Sequence, residues 1–160
     1  MAAHRYWRLN IPAQFFTPAM AEVQFRTGFG VPLLFPVDTT AVCKAGNTYG
    51  SVPGTYDPSK LADNLISTLW SAGDATANWW SYDYGAASGG WRDITQVVIT
   101  ARNDSGYGQA PAIFTLQWSD DNAAWTSVQT FTSAPWTSAA QVQTFSVGGG
   151  VVPPNFFFAA

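Results

Sequence analysis

One cysteine, one histidine and one glutamate in 160 residues leave the sequence short of the groups most enzymes depend on. Cys43 has no second cysteine to pair with, so an intrachain disulfide, a zinc-spaced Cys pair and a thiol redox motif are excluded by count. His4 alone would have to be the base of any Ser-His-Asp or Cys-His system. No Gly-rich loop ends in Lys-Ser or Lys-Thr, which removes a phosphate-cradling loop. A carboxylate pair for glycoside hydrolysis is defined by a separation in space, and one Glu among scattered Asp residues is a thin supply for it. The chain is therefore expected to be non-enzymatic and to require no cofactor.

Charge is also scarce. Asp, Glu, Lys and Arg make up 11% of the chain, against about 25% in ordinary soluble proteins. Seven basic and ten acidic residues give a net charge of −3 with no basic cluster, so nucleic acid is not an expected partner. Nowhere do about 18 apolar residues run together, so no membrane insertion is expected. The first residues, Met1 to Arg8, lack the basic stretch and the apolar core of about 7–15 residues that mark a secretory signal. These features predict a soluble chain made in the cytoplasm. Its length suits one domain burying roughly 70% of its unfolded surface.

Aromatic residues are abundant: 8 Trp, 11 Phe and 6 Tyr. With so few charges, some of them must lie at the surface, which predicts a partner or an assembly. Period-two alternation dominates the pattern. Trp7, Leu9 and Ile11 face one way, and Tyr6, Arg8 and Asn10 the other. Val23 and Phe25 alternate with Glu22, Gln24 and Arg26, and the β-branched run Gln96 to Thr100 suits a central strand. Phe114, Leu116 and Trp118 lead into the turn-forming Ser119-Asp120-Asp121-Asn122 and a second run from Trp125 to Phe131, which predicts a hairpin. A last strand is expected from Gln141 to Val147, ended by Gly148-Gly149-Gly150. Helix signals are confined to Asp57-Pro58-Ser59-Lys60-Leu61-Ala62, where Asp57 can cap and Pro58 suits the first helical position, with Leu61 and Leu65 four apart; one or two turns are expected.

The expected fold is thus all-β, an antiparallel β-sandwich or jelly roll with one short helix. One domain is assigned to residues 1–147, with 28–56 as a long functional loop or an extra hairpin. Residues 148–160 are a Gly-rich hinge and a hydrophobic tail. Left in water, Phe156, Phe157 and Phe158 would each forgo on the order of 1.5–3 kcal/mol of burial energy. The tail is expected to dock on a neighbouring subunit, the alternative being that it packs on its own sandwich. Alternation and apolar neighbours place Trp7, Trp70, Trp80, Trp118 and Trp125 in the core.

Aromatic platforms with neutral polar groups suit carbohydrate, since a pyranose offers a C–H face for stacking and hydroxyls for hydrogen bonds. The loop candidates are Trp91, Arg92, Asp93, Tyr107, Tyr49, Tyr56 and Trp136. Trp91 and Tyr107 would supply stacking faces, while Arg92 and Asp93 would bind sugar hydroxyls.

The run Asp63-Asn64-Leu65-Ile66-Ser67-Thr68-Leu69-Trp70, followed by Trp79-Trp80-Ser81-Tyr82-Asp83-Tyr84-Gly85 and by the strand, turn and Trp from Ala110 to Trp125, resembles the discoidin-like, coagulation-factor type C members of the galactose-binding-like superfamily. The resemblance covers about residues 57–147. It implies a jelly roll with binding loops gathered at one end and a non-catalytic role. It also implies a possible structural Ca²⁺ in the loop holding Asp63 and Thr68, although Asn64 and Leu65 stand where the family has Gly and Asn. The opening His4-Arg5-Tyr6-Trp7-Arg8-Leu9-Asn10-Ile11, with Ala21-Glu22-Val23-Gln24-Phe25-Arg26, looks like strands of discoidin-like virion proteins of tailed phages and gene transfer agents. That likeness implies a spike, fibre or capsid decoration in a virion, with host-surface polysaccharide and other virion subunits as partners, assembled as a homo-oligomer, a trimer or pentamer. A carbohydrate-binding module of an exported bacterial protein and a purely structural decoration are the alternatives.

Overall fold

The computed structural model describes residues 2–28, 31–33, 35, 39, 41–85 and 90–148. Among them are ten strands: β1 (Tyr6–Ile11), β2 (Ala19–Met20), β3 (Glu22–Arg26), β4 (Cys43–Ala45), β5 (Trp70–Ser71), β6 (Asn78–Asp83), β7 (Gln96–Thr100), β8 (Ile113–Ser119), β9 (Thr126–Thr132) and β10 (Val142–Ser146). A five-stranded sheet has the order β4-β6-β1-β8-β9, a three-stranded sheet β10-β7-β3, and β2 pairs with β5. Every pairing is antiparallel.

Alternation explains how the two larger sheets face each other. Trp7, Leu9 and Ile11 of β1, Trp80 and Tyr82 of β6 and Phe114 and Leu116 of β8 are fully buried, as are Val23, Phe25, Val97 and Ile99 from the other sheet. Phe145 of β10 meets Phe114 edge-on at 4.9 Å between ring centroids, and Phe25 lies 6.0 Å from Trp80, so aromatic rings bridge the layers. Each such ring, removed from water, contributes about 1.5–3 kcal/mol before its packing geometry is counted. The expected β-sandwich is present, and no α-helix occurs among the described residues.

Several local expectations are met. β8 and β9 form the hairpin, β7 is central in its sheet, and β10 follows where alternation put it. The expected short helix is a single 3-10 turn, Pro58–Leu61, whose cap Asp57 accepts the Ser59 N–H at 2.8 Å. Leu61 is buried, but Leu65 lies beyond the turn and is exposed. Among the described residues of 28–56 there is one strand, β4, on the edge of the five-stranded sheet. They also return briefly along β3, where Arg26 faces Pro32. Cys43 is buried in β4.

Two of the five expected core tryptophans are only half-buried. Trp118 packs on the core at the end of β8 and stacks on His4, with ring centroids 3.4 Å apart and planes 9° from parallel. Trp125 would share the inward face of Phe131 in a regular strand. The pairing instead steps from Leu116↔Gln129 to Gln117↔Ser127, skipping Val128. Such a bulge turns everything before it to the other face, and Trp125 lies on the outer face with the Arg8 guanidinium 4.1 Å from its ring centre.

Candidate functional site

Strand direction sorts the expected binding residues into two groups. Arg92 pairs through its backbone with His4, just before β1 begins, while Gln14, just after β1 ends, bonds the backbone of Gln109 and Ala112. The six residues of β1 separate the two ends of the sandwich by about 17 Å. Trp91, Arg92 and Asp93 therefore lie at the opposite end from Tyr107, Tyr49, Tyr56 and Trp136, and the expected pairing of Trp91 with Tyr107 in one site does not occur. Trp91 is 47% exposed. The Arg92 guanidinium reaches back to the Trp91 carbonyl at 3.2 Å and lies 5.4 Å from the Tyr84 ring centre.

At the other end, the expected residues differ in availability. Tyr107 and Trp136 are half-buried and pack on the core, and the Trp136 indole N–H donates to the Pro111 carbonyl at 3.2 Å. Tyr49 is 59% exposed and meets the half-buried Tyr56 edge-on at 5.5 Å. Its backbone N–H donates to Ser71 at 2.8 Å, so β5 fixes where the ring stands. Phe156, Phe157 and Phe158, expected to dock on a neighbouring subunit, lie outside the described residues.

The two tyrosines wall a cleft of about 340 Å³ whose remaining lining is Thr17, Ser71, Gly73, Arg102 and Gln109. Arg102 follows the end of β7 and is held from several sides. Its Nε and Nη2 donate to the two carboxylate oxygens of Asp104 at 3.0 and 2.6 Å, and Nη1 donates to the Gln109 side-chain oxygen. Its guanidinium also lies against Gly106, where a Cβ would come within 2.7 Å of Cζ. The guanidinium's hydrogen bonds, helped by the Gly106 N–H, hold the Asp104 carboxyl below the usual carboxylate range. A fixed guanidinium already paired with its carboxylate, the Thr17 hydroxyl, the Gln109 amide and two phenol rings can orient a polar ligand.

The loop over β3 offers a second set of oxygens. Glu22 is on the outward side of its strand, as alternation expects, yet it is buried because residues 63–68 lie over it. Its Oε1 accepts the Leu65 N–H at 2.7 Å, while Oε2 is buried without a hydrogen bond. Burial, with Asp63 alongside, pushes the Glu22 carboxyl up to about 8. Asp63 accepts the Thr68 hydroxyl at 2.8 Å, and that hydroxyl is also 2.8 Å from the Leu65 carbonyl.

A family model, that of the F5/8 type C domain, matches residues 45–150. The chain belongs to that family. Compared with curated proteins and with solved structures, it has no match. F5/8 type C domains typically bind carbohydrate or other ligands. The match takes in β5 to β10, the cleft residues from Tyr49 to Gln109 and the Asp63 loop, while β1 to β3, with Thr17 and Glu22, precede it. The Ca²⁺ expected from the family suits this loop chemically. The donors are all hard oxygens: the Asp63 carboxylate, the Glu22 carboxyl with its buried Oε2 outside any hydrogen bond, the Thr68 hydroxyl and the Leu65 carbonyl. An ion there would displace the Glu22 proton and compete with Lys60, whose Nζ lies 3.7 Å from Asp63.

Sequence reading missed Glu22, Arg102, Gln109, Thr17 and Ser71. For Arg102 a signal existed: a charged Arg-Asn-Asp-Ser-Gly run directly after the strongest apolar strand of a weakly charged chain. Glu22 carried none, because the loop that buries it is some forty residues away in sequence.

Proposed function

We propose that this F5/8 type C domain is a non-enzymatic binding module that takes carbohydrate in the cleft between Tyr49, Tyr56 and Arg102. One observation carries the reading: stacking faces and an immobilised guanidinium line the same cleft of about 340 Å³, with hydroxyl side chains between them. Tyrosine rings supply the apolar contact, and Thr17 and the Gln109 amide supply hydrogen bonds to sugar hydroxyls. A Ca²⁺ held by Glu22, Asp63 and Thr68 would supply a charge cross-link between β3 and the 63–68 loop, fixing one wall of this end. It would play no chemical part.

The setting we propose is a virion, as a spike, fibre or capsid decoration that meets host-surface polysaccharide. The support for it is the resemblance of the first strands, His4 to Ile11 and Ala21 to Arg26, which precede the family match. Oligomerisation through residues 148–160, as a trimer or pentamer, belongs to the same proposal, since repeated weak sites gain avidity by about 10²–10⁴.

The test is a screen of the full chain against isolated bacterial polysaccharides and a glycan array, with Tyr49→Ala and Trp91→Ala alongside. Saturable binding that Tyr49→Ala weakens at least tenfold and Trp91→Ala does not alter is the expected result. A domain that binds no glycan at high valency would instead be a structural component. Phe15, 89% exposed next to Phe16, favours that second reading, because so bare an aromatic pair suits a protein contact.

A further inference from the structure

Beside the cleft is a second hollow of nearly the same size. It also measures about 340 Å³, and Phe16, Ser105, Gly106 and Gly108 line it together with Arg102 and Gln109. Arg102 and Gln109 thus belong to both hollows and form the ridge between them. Each hollow alone is at the lower end of the roughly 300–1,000 Å³ occupied by small-molecule sites. Each also has its own aromatic wall, Tyr49 and Tyr56 on one side and Phe16 on the other.

The ridge is electrically neutral as well as rigid. The Arg102 guanidinium makes its ion pair with Asp104, and Gln109 gives its oxygen to Arg102, which leaves the Gln109 amide nitrogen as a donor. Asp74, next to Gly73 of the first hollow, is an anion stabilised by the hydroxyl and backbone N–H of Thr76. Arg102 is the one charged residue lining either hollow, and Asp104 already neutralises it, so a carboxylated sugar would find no uncompensated cation there, whereas a neutral sugar needs only dipoles and aromatic faces.

We infer that the loop end is a two-subsite receptor for a neutral oligosaccharide, with one sugar on either side of the Arg102–Gln109 ridge and the linkage crossing it. This rests on the carbohydrate reading above and adds ligand length, ligand charge and the role of Phe16. Gly106 and Gly108 keep the floor of the second subsite free of side chains.

The experiment is calorimetric titration of the full chain with methyl hexopyranosides, the corresponding neutral disaccharides and uronic-acid disaccharides, each variant first checked by thermal melting. Neutral disaccharides are expected to bind about tenfold more tightly than their monosaccharides, and uronates not measurably. Phe16→Ala should bring disaccharide affinity down to the monosaccharide level, Tyr49→Ala should weaken both, and Asp104→Asn, by freeing Arg102, should admit uronates. Equal affinities for mono- and disaccharides, with Phe16→Ala without effect, would leave a one-sugar site and overturn the inference while the carbohydrate reading stands. Preference of the natural chain for uronates would overturn its neutral character. If none of the sugars binds at millimolar concentration, the carbohydrate reading fails and the inference fails with it.

Discussion

Arg102 shows how a surface side chain is made rigid: a bidentate carboxylate, an amide oxygen and the bare Cα of Gly106 together fix an otherwise mobile guanidinium. Gly106→Ala would place a methyl 2.7 Å from Cζ and push the guanidinium aside. The expected outcome is a several-fold loss of glycan affinity by calorimetry with stability changed by less than about 1 kcal/mol, since the site is at the surface. Core residues respond differently. Phe114, fully buried between Phe131 at 5.2 Å and Phe145 at 4.9 Å, should cost about 3–5 kcal/mol when changed to Ala, read from urea unfolding. Phe15→Ser, at an 89% exposed position, should stay within about 0.5 kcal/mol. The sequence makes Phe114 readable as core by alternation. It does not separate Phe15 from a core phenylalanine, because exposure in an irregular loop leaves no period to read.

Among the elements, β3 and the loop that crosses it are coupled through Glu22. Added Ca²⁺ is expected to raise the melting temperature of the natural chain, and Glu22→Gln or Asp63→Asn to abolish that rise; a melt that ignores Ca²⁺ would remove the ion from the account. At the end of β6, Asp83 accepts two hydrogen bonds from Arg5 at 2.8 and 2.9 Å. Burial alone would raise the Asp83 carboxyl, but Arg5 and the Gly85 N–H outweigh it and hold the group below its usual range. A carboxyl depressed in the folded state stabilises fully above its unfolded value of about 3.9 and ceases to as pH falls through the lower folded value. The stability gap between the natural chain and Asp83→Asn should therefore be about 1 kcal/mol at neutral pH and close in strong acid. Long strands were legible in the sequence because alternation and burial coincide in β1, β8 and β10, and because β7, a central strand buried on both faces, reads as an unbroken β-branched run. The two-residue strands β2 and β5 are too short to carry a period, and the bulge at Val128 reversed the side on which Trp125 was expected without any local mark such as Gly.

At the scale of the whole molecule, the two ends of the sandwich are distinct surfaces, and a ligand at one should leave the other untouched. Of the residues chosen from the sequence for their loop neighbours, Tyr49 and Tyr56 come together in one cleft, while Trp91 and Tyr107 are divided between the two ends. Loop composition says that a side chain is near an end, and only strand direction says which end. Removal of residues 151–160, the hydrophobic part of the tail, is expected to yield a monomer that keeps glycan affinity per site, and light scattering that still finds an oligomer would place assembly elsewhere. The five-stranded sheet has one more consequence. Its central strand is β1, where Trp7 lies opposite Tyr82 on one side and Trp118 on the other. The first of these strands to leave the ribosome is thus hydrogen-bonded on both edges only after β8 has been made. High contact order of this kind places folding in the millisecond-to-second range, and β1 offers two open edges to any other nascent strand nearby until β6 is made, and one until β8 follows.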